Sequence, residues 1–160
     1  MVVVDRELPR VGKEWTLLMT GQLERVRVGE VKVITPRDSR RYVGASPLTE
    51  FAAVGISSPD QVAGVTTVSF FGVKPEEWYD HLAEYADQLV SLGKRSGGAD
   101  FTAFFVNVRT GNRNPDLNEL LGQNALRWAE EQLGRDLVAF EFVTAEAFCI
   151  DRVTGALSPL

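Results

Sequence analysis

Three consecutive runs decide the fold: FTAFFVNVR at residues 101–109, PDLNELLGQNALRWAEEQL at 115–133 and LVAFEFV at 137–143. The first is apolar on both faces until Asn107, which predicts a central strand covered from both sides. In the second, Leu117, Leu121, Ala125 and Trp128 recur at helical spacing, flanked by Leu120 and Ala129. Asn114-Pro115 supplies a cap and a first helical residue, and Gly134-Arg135 the stop. The third run is again a strand.

Working outward, the same grammar appears upstream. Pro75–Leu92 carries the stripe Trp78, Leu82, Tyr85, Leu89 and Leu92. Glu76 and Glu77 sit at its positive end, and Gly93-Lys94-Arg95 ends it. Before that helix, Val65–Val73 and Phe51–Ile56 read as strands joined by the turn Ser57-Ser58-Pro59-Asp60; Phe148–Val153 reads as a last strand. At the N-terminal side, Trp15–Thr20 reads as a strand. Leu23–Val28 and Val31–Thr35 alternate Val with charged residues and read as a hairpin closed by Gly29-Glu30 in a type II′ turn. The expected product is an α+β fold: a mixed β-sheet, with an N-terminal antiparallel hairpin and then β-α-β-α-β, and both helices packed on one face. A split βαβ with antiparallel neighbours is the alternative arrangement. Residues 36–50 lack any hydrophobic period and read as a long loop or arm on a single domain spanning 1–160.

The 160 residues are 44% hydrophobic and 24% charged, an ordinary globular balance. Seventeen Lys and Arg face 22 Asp and Glu, and the net charge of −5 argues against a chain built to neutralise phosphates, so no nucleic-acid partner is expected. No apolar run approaches the roughly 20 residues of a membrane helix, and Met1–Val4 is no signal peptide, so a cytoplasmic protein is expected.

Chemistry is sparse. With one Cys (Cys149) and one His (His81), an internal disulfide and a Cys/His zinc cage are both ruled out within one chain. His81 has Glu77 and Glu84 within one helical turn, but a carboxylate–histidine metal site needs matching ligands from other helices. Cys149, between Phe148 and Ile150, reads as a small buried hydrophobe. There is no nucleophile elbow, P-loop or dinucleotide fingerprint, so no catalytic residue, metal or cofactor is assigned.

Two sets of residues remain. Asn107, Arg109, Asn112 and Arg113 lie between a strand end and a helix start, where backbone N–H groups can receive an anion. Glu141, which interrupts an apolar strand, is expected on the same sheet face as Asn107. Together they predict a concave ligand site at the C-terminal end of the central strand. The second set is Val2, Val3 and Val4, able to add a strand at a sheet edge, with Arg37, Arg40, Arg41 and Tyr42 on the arm. It points to contact with another protein or another copy of this chain. The leading expectation is a non-enzymatic structural, assembly or adaptor protein, probing partners through these segments, such as a homo-oligomer or a virion or injection-machine subunit. The ligand site is the first alternative. An acidic inhibitor or immunity-type protein using Glu76, Glu77, Asp80, Glu84 and Asp87 is the second.

Overall fold

The computed structural model describes residues 1–46, 48, 52–107 and 115–160. Its strands are β1 (Val2–Glu7), β2 (Leu23–Arg25), β3 (Val31–Ile34), β4 (Tyr42–Ala45), β5 (Ala52–Ser58), β6 (Val62–Val68), β7 (Phe101–Asn107), β8 (Leu137–Thr144), β9 (Phe148–Asp151) and β10 (Leu157–Pro159). The helices are α1 (Glu14–Met19), α2 (Trp78–Arg95) and α3 (Pro115–Leu133). Six strands form one mixed sheet in the order β1-β8-β7-β5-β6-β3, and four form a second in the order β10-β9-β4-β2. The class is α+β.

Because strand side chains alternate between faces, the large sheet has two cores. Ala52, Val54, Ile56, Phe101, Ala103, Phe105 and Phe140 point to one side and pack against Leu82, Leu89, Leu121, Ala125 and Trp128 of α2 and α3. Both helices therefore cover one face, as expected. Ala53, Ala63, Val65, Phe104, Val106 and Val143 point to the other side, where the small sheet covers them with Val43, Ala45, Phe148 and Ile150. The layers run helices, large sheet, small sheet. In the large sheet β5 runs antiparallel between β6 and β7, so β6-α2-β7 is a split βαβ, while β7 and β8 are direct parallel neighbours across α3.

The N-terminal third departs from its sequence reading. Trp15–Thr20 is not a strand; its core is α1. A Schellman motif ends that helix: Gly21 N–H bonds Leu18 O, Gln22 N–H bonds Leu17 O, and Gly21 has φ +69°. Gly21 thus marks a helix C-terminus and not the end of a strand.

The expected hairpin does not close either. β2 pairs in parallel with β4 in the small sheet, whereas β3 pairs antiparallel with β6 in the large one. Glu30 N–H bonds Arg27 O, so the turn's central residues are Val28 and Gly29, and the positive φ falls at the second of them. That glycine position fits a type II turn, whose twist splays the flanking strands, instead of the type II′ a hairpin needs. Thr66 and Thr67 hydroxyls donate to Glu30 O and Arg27 O and fasten the corner to β6.

Residues 36–50, expected as a loop throughout, contain β4. A Cβ on Gly44 would lie 2.1 Å from the Phe148 carbonyl oxygen, so the residue that reads as a breaker is what lets β4 approach β9. At the other end, β10 pairs with β9, and Leu160 is buried. Val2–Val4 do add a strand, as β1 in parallel beside β8 at the edge of the chain's own large sheet. Among the described residues no helix is long and apolar enough to cross a membrane.

Candidate functional site

The strands β1, β8 and β7 run parallel and end together, with Asn107 beside Thr144 and Thr144 beside Glu7. Next to these ends, α3 and β1 enclose a cleft of about 630 Å³. Its floor is Phe105, Phe142 and Leu126, and its polar walls are Asp5, Asn107, Asn118, Glu119, Gln123 and Thr144. The α3 contribution follows from its period: Asn118, Gly122 and Leu126 step by four along one face, while Leu121, Ala125 and Trp128 face the core. A Cβ on Gly122 would stand 2.8 Å from the Phe142 ring, so the ring reaches the cleft floor because α3 has no side chain there.

Asn107 Nδ2 donates to Asn118 Oδ1 at 3.1 Å. That contact uses Asn118's oxygen and leaves its N–H groups for a further acceptor. The described lining holds two carboxylates, Asp5 and Glu119, and no Lys or Arg, so the described residues suit a neutral or cationic polar molecule with a flat apolar part.

Glu141 is not part of this site. In register it lies beside Phe104, whereas Asn107 has the parity of Phe105. Period two therefore sends the two side chains to opposite faces. Glu141 accepts from Arg6 Nη1 at 2.7 Å, and Arg6 Nη2 donates to Leu157 O, so this pair ties β1 to β8 and the C-terminal strand. Arg109, Asn112 and Arg113 lie outside the described residues.

The basic arm is largely spent inside the molecule. Arg40 pairs with Glu24. Arg41 makes a two-pronged contact to Asp151, both bonds 2.9 Å, and its guanidinium lies 5.6 Å from the Tyr42 ring centroid. Burial alone would raise the Asp151 carboxyl, but hydrogen bonds from Arg41 and the Val153 amide, with the Arg41 charge, hold it below the usual carboxylate range. The same hydrogen bond and charge push Arg41 further up. Arg37 is exposed.

His81 and Cys149 sit in different layers. His81 Nε2 is 2.7 Å from Ser69 O, and its ring meets Phe70 and Tyr85 edge-on. Cys149 is buried in the small sheet with Leu23, Ala147 and Leu160. Burial pushes its thiol up, against a smaller lowering from Ser158, so the nucleophilic thiolate is disfavoured at neutral pH. Among the described residues no three His, Cys, Asp or Glu side chains gather into a possible metal site. Of the acidic set on and before α2, Glu76, Glu77, Asp80 and Glu84 are exposed, while Asp87 accepts from Trp128 Nε1 at 2.8 Å.

Sequence reasoning missed α1 as a surface feature. Trp15 is 71% exposed and Met19 66%, one helical turn apart, with Leu18 and Val11 exposed nearby. A Trp and a Met four residues apart just before a glycine carry that signal, which the reading of Trp15–Thr20 as a strand overlooks. The chain matches no protein-family model and no curated protein sequence.

Proposed function

We propose that this protein works by protein–protein contact, as an assembly or adaptor subunit that self-associates through its N-terminal segment. One observation carries the reading. Of thirteen exposed large hydrophobic residues among those described, eight fall within residues 1–19. Six of the eight lie on two elements, β1 and α1. Val2, Val3 and Val4 occupy the first half of β1, which ends the large sheet and so has one unpaired edge. Asp5, Arg6 and Glu7 guard the second half with charge, but nothing comparable guards the valines. Trp15 and Met19 add an aromatic–thioether pair of the kind that anchors interfaces. The arginines of the arm, given their partners in Glu24 and Asp151, are the lesser contributors.

The test is mass by light scattering on the 17.7 kDa chain, at low and high salt. An oligomer that survives salt is expected, because apolar contacts are not screened. Trp15→Glu with Met19→Glu, both on exposed positions, should reduce it to the monomer mass without altering the circular-dichroism spectrum. A wild-type chain that stays monomeric at high concentration would overturn the reading.

A second reading is favoured by the 630 Å³ cleft at the ends of β1, β8 and β7. That volume lies within the roughly 300–1,000 Å³ of small-molecule sites. We infer a ligand with amine or hydroxyl groups over an apolar ring. Ligand-observed NMR with nucleosides and amino sugars tests it: saturable binding should weaken in Asn118→Ala, and no saturable binder would remove the reading.

A further inference from the structure

A second crevice, of about 310 Å³, opens where the end of β2 and the Arg27–Glu30 turn pass the ends of β4 and β6. Arg25, Arg27, Ser46 and Thr67 supply its polar lining, and among the described residues no carboxylate side chain lines it. Ser46 is 7% exposed, and its hydroxyl oxygen is buried with no hydrogen-bond partner. A buried hydroxyl without a partner is an uncommon arrangement, because its lost hydration goes uncompensated. Its surroundings show what would satisfy it.

Arg25 donates from Nε and Nη2 to Ser46 O, at 3.1 and 2.6 Å, so its guanidinium is fixed beside this residue. Of the five N–H donors on a guanidinium, three then remain for another acceptor. Glu14 lies 3.4 Å from Arg25 Nε and offsets that charge. Arg27 has no such offset: among the described residues its guanidinium makes no hydrogen bond or ion pair, while its carbonyl is held by Thr67 and Glu30. The crevice therefore combines one uncompensated positive charge, donors on two arginines and one orphan O–H. Its free hydrogen-bonding groups among the described side chains are mainly donors, those of the two guanidinium groups and the Ser46 hydroxyl. Its volume sits at the small end of ligand sites, which suits a head group more than a whole cofactor.

We propose that this crevice binds a small oxyanion, a phosphate or carboxylate group, whose oxygens take hydrogen bonds from the Ser46 hydroxyl and from the remaining N–H groups of Arg25 and Arg27. The site is independent of the N-terminal contact surface and of the cleft beside α3. It also inverts the cleft's preference, since the cleft is lined by carboxylates and the crevice by guanidinium groups.

Isothermal titration with inorganic phosphate and with acetate, at constant ionic strength set by chloride, tests the proposal. Saturable binding of at least one anion at millimolar concentration is expected, with a matching rise in thermal midpoint. Tighter phosphate would mark a phosphoryl head group, and tighter acetate a carboxylate. Arg27→Gln and Ser46→Ala should each weaken binding by about tenfold, the loss of one charge-assisted hydrogen bond. Ser46→Ala has a second readout that does not depend on the ligand. Because its hydroxyl bonds nothing in the free protein, the anion-free midpoint should stay equal or rise, while the anion-induced rise shrinks. No saturable binding of either anion, or unchanged affinity in both variants, would overturn the proposal.

Discussion

The two faces of the large sheet are packed by opposite rules. The helix-facing side is filled with bulk: Trp78, Trp128, Phe101, Phe105, Phe140 and the leucines of α2 and α3. The side facing the small sheet is filled mostly with Ala and Val, with Phe104 and Phe148 as its aromatic rings. On the helix side large side chains fill the grooves between α2, α3 and the sheet, whereas on the other side small residues leave little room for added atoms. One face should thus fail when side chains are shortened, and the other when they are lengthened.

The largest expected effect is on the helix face. Trp128 is fully buried, and its indole N–H donates to Asp87 across the two helices. Trp128→Ala should cost about 3–5 kcal/mol in denaturant unfolding, from lost burial and the cavity left behind. Trp128→Phe keeps most of the volume and should cost clearly less. Equal losses would mean that the hydrogen bond, not bulk, governs this face.

Within the small sheet, Gly44→Ala tests the reverse rule at a strand pairing with no room for added atoms. The added methyl meets the Phe148 carbonyl oxygen at 2.1 Å and Cys149 Cα at 2.9 Å, both backbone atoms in a paired strand. Overpacking of this kind costs about 1–3 kcal/mol or more, since neither strand can turn aside as a side chain would. Gly122→Ala gives the contrast. Its methyl meets the Phe142 ring, which can rotate, and alanine gains helix propensity of about 1 kcal/mol over glycine. Its unfolding free energy should therefore move by less than that of Gly44→Ala.

These differences explain which parts of the fold were legible in the sequence. The helix face announces itself because long apolar side chains repeat every three or four residues, and α3 begins and ends at the residues its stripe and caps indicate. Apolar residues on both faces of β7 likewise announce cover on both sides. What covered the second face was hidden: β4 and β10 are four and three residues long, and a Gly or a Pro falls within each. Such strands acquire meaning from their partners, as β4 does from β9. The hairpin failed on one residue's place in a turn, since Gly29 lies second and not first among the central pair. For the cleft, Asn107 was legible as a polar residue ending an apolar strand. Its partnership with Asn118, and the separation of Glu141, depend on register, which only pairing reveals. The crevice at Ser46 had no local signal, because Arg25, Ser46 and Thr67 come from three different strands or their ends.

The smallest effect belongs to the rim of the small sheet, where Arg41 holds Asp151. Arg41's side chain is 43% exposed and Asp151's 12%, so solvent screens one half of the pair and its contribution is correspondingly discounted. The pH dependence still has a definite sign. The Asp151 carboxyl is held below its ordinary value in the folded chain, against the upward push of its own burial. Its stabilisation is therefore complete above the unfolded carboxyl pKa of about 3.9 and is lost as pH falls through the lower folded value. Arg41→Met removes the main groups that lower it. At pH 7 the variant should melt below the wild type, and the gap in thermal midpoint should narrow once pH drops below about 4, as Asp151 takes up its proton in both chains. A gap of constant size from pH 7 to pH 3 would assign Arg41's role to its stacking on Tyr42 and to packing, and the ion pair would then contribute nothing to the small sheet.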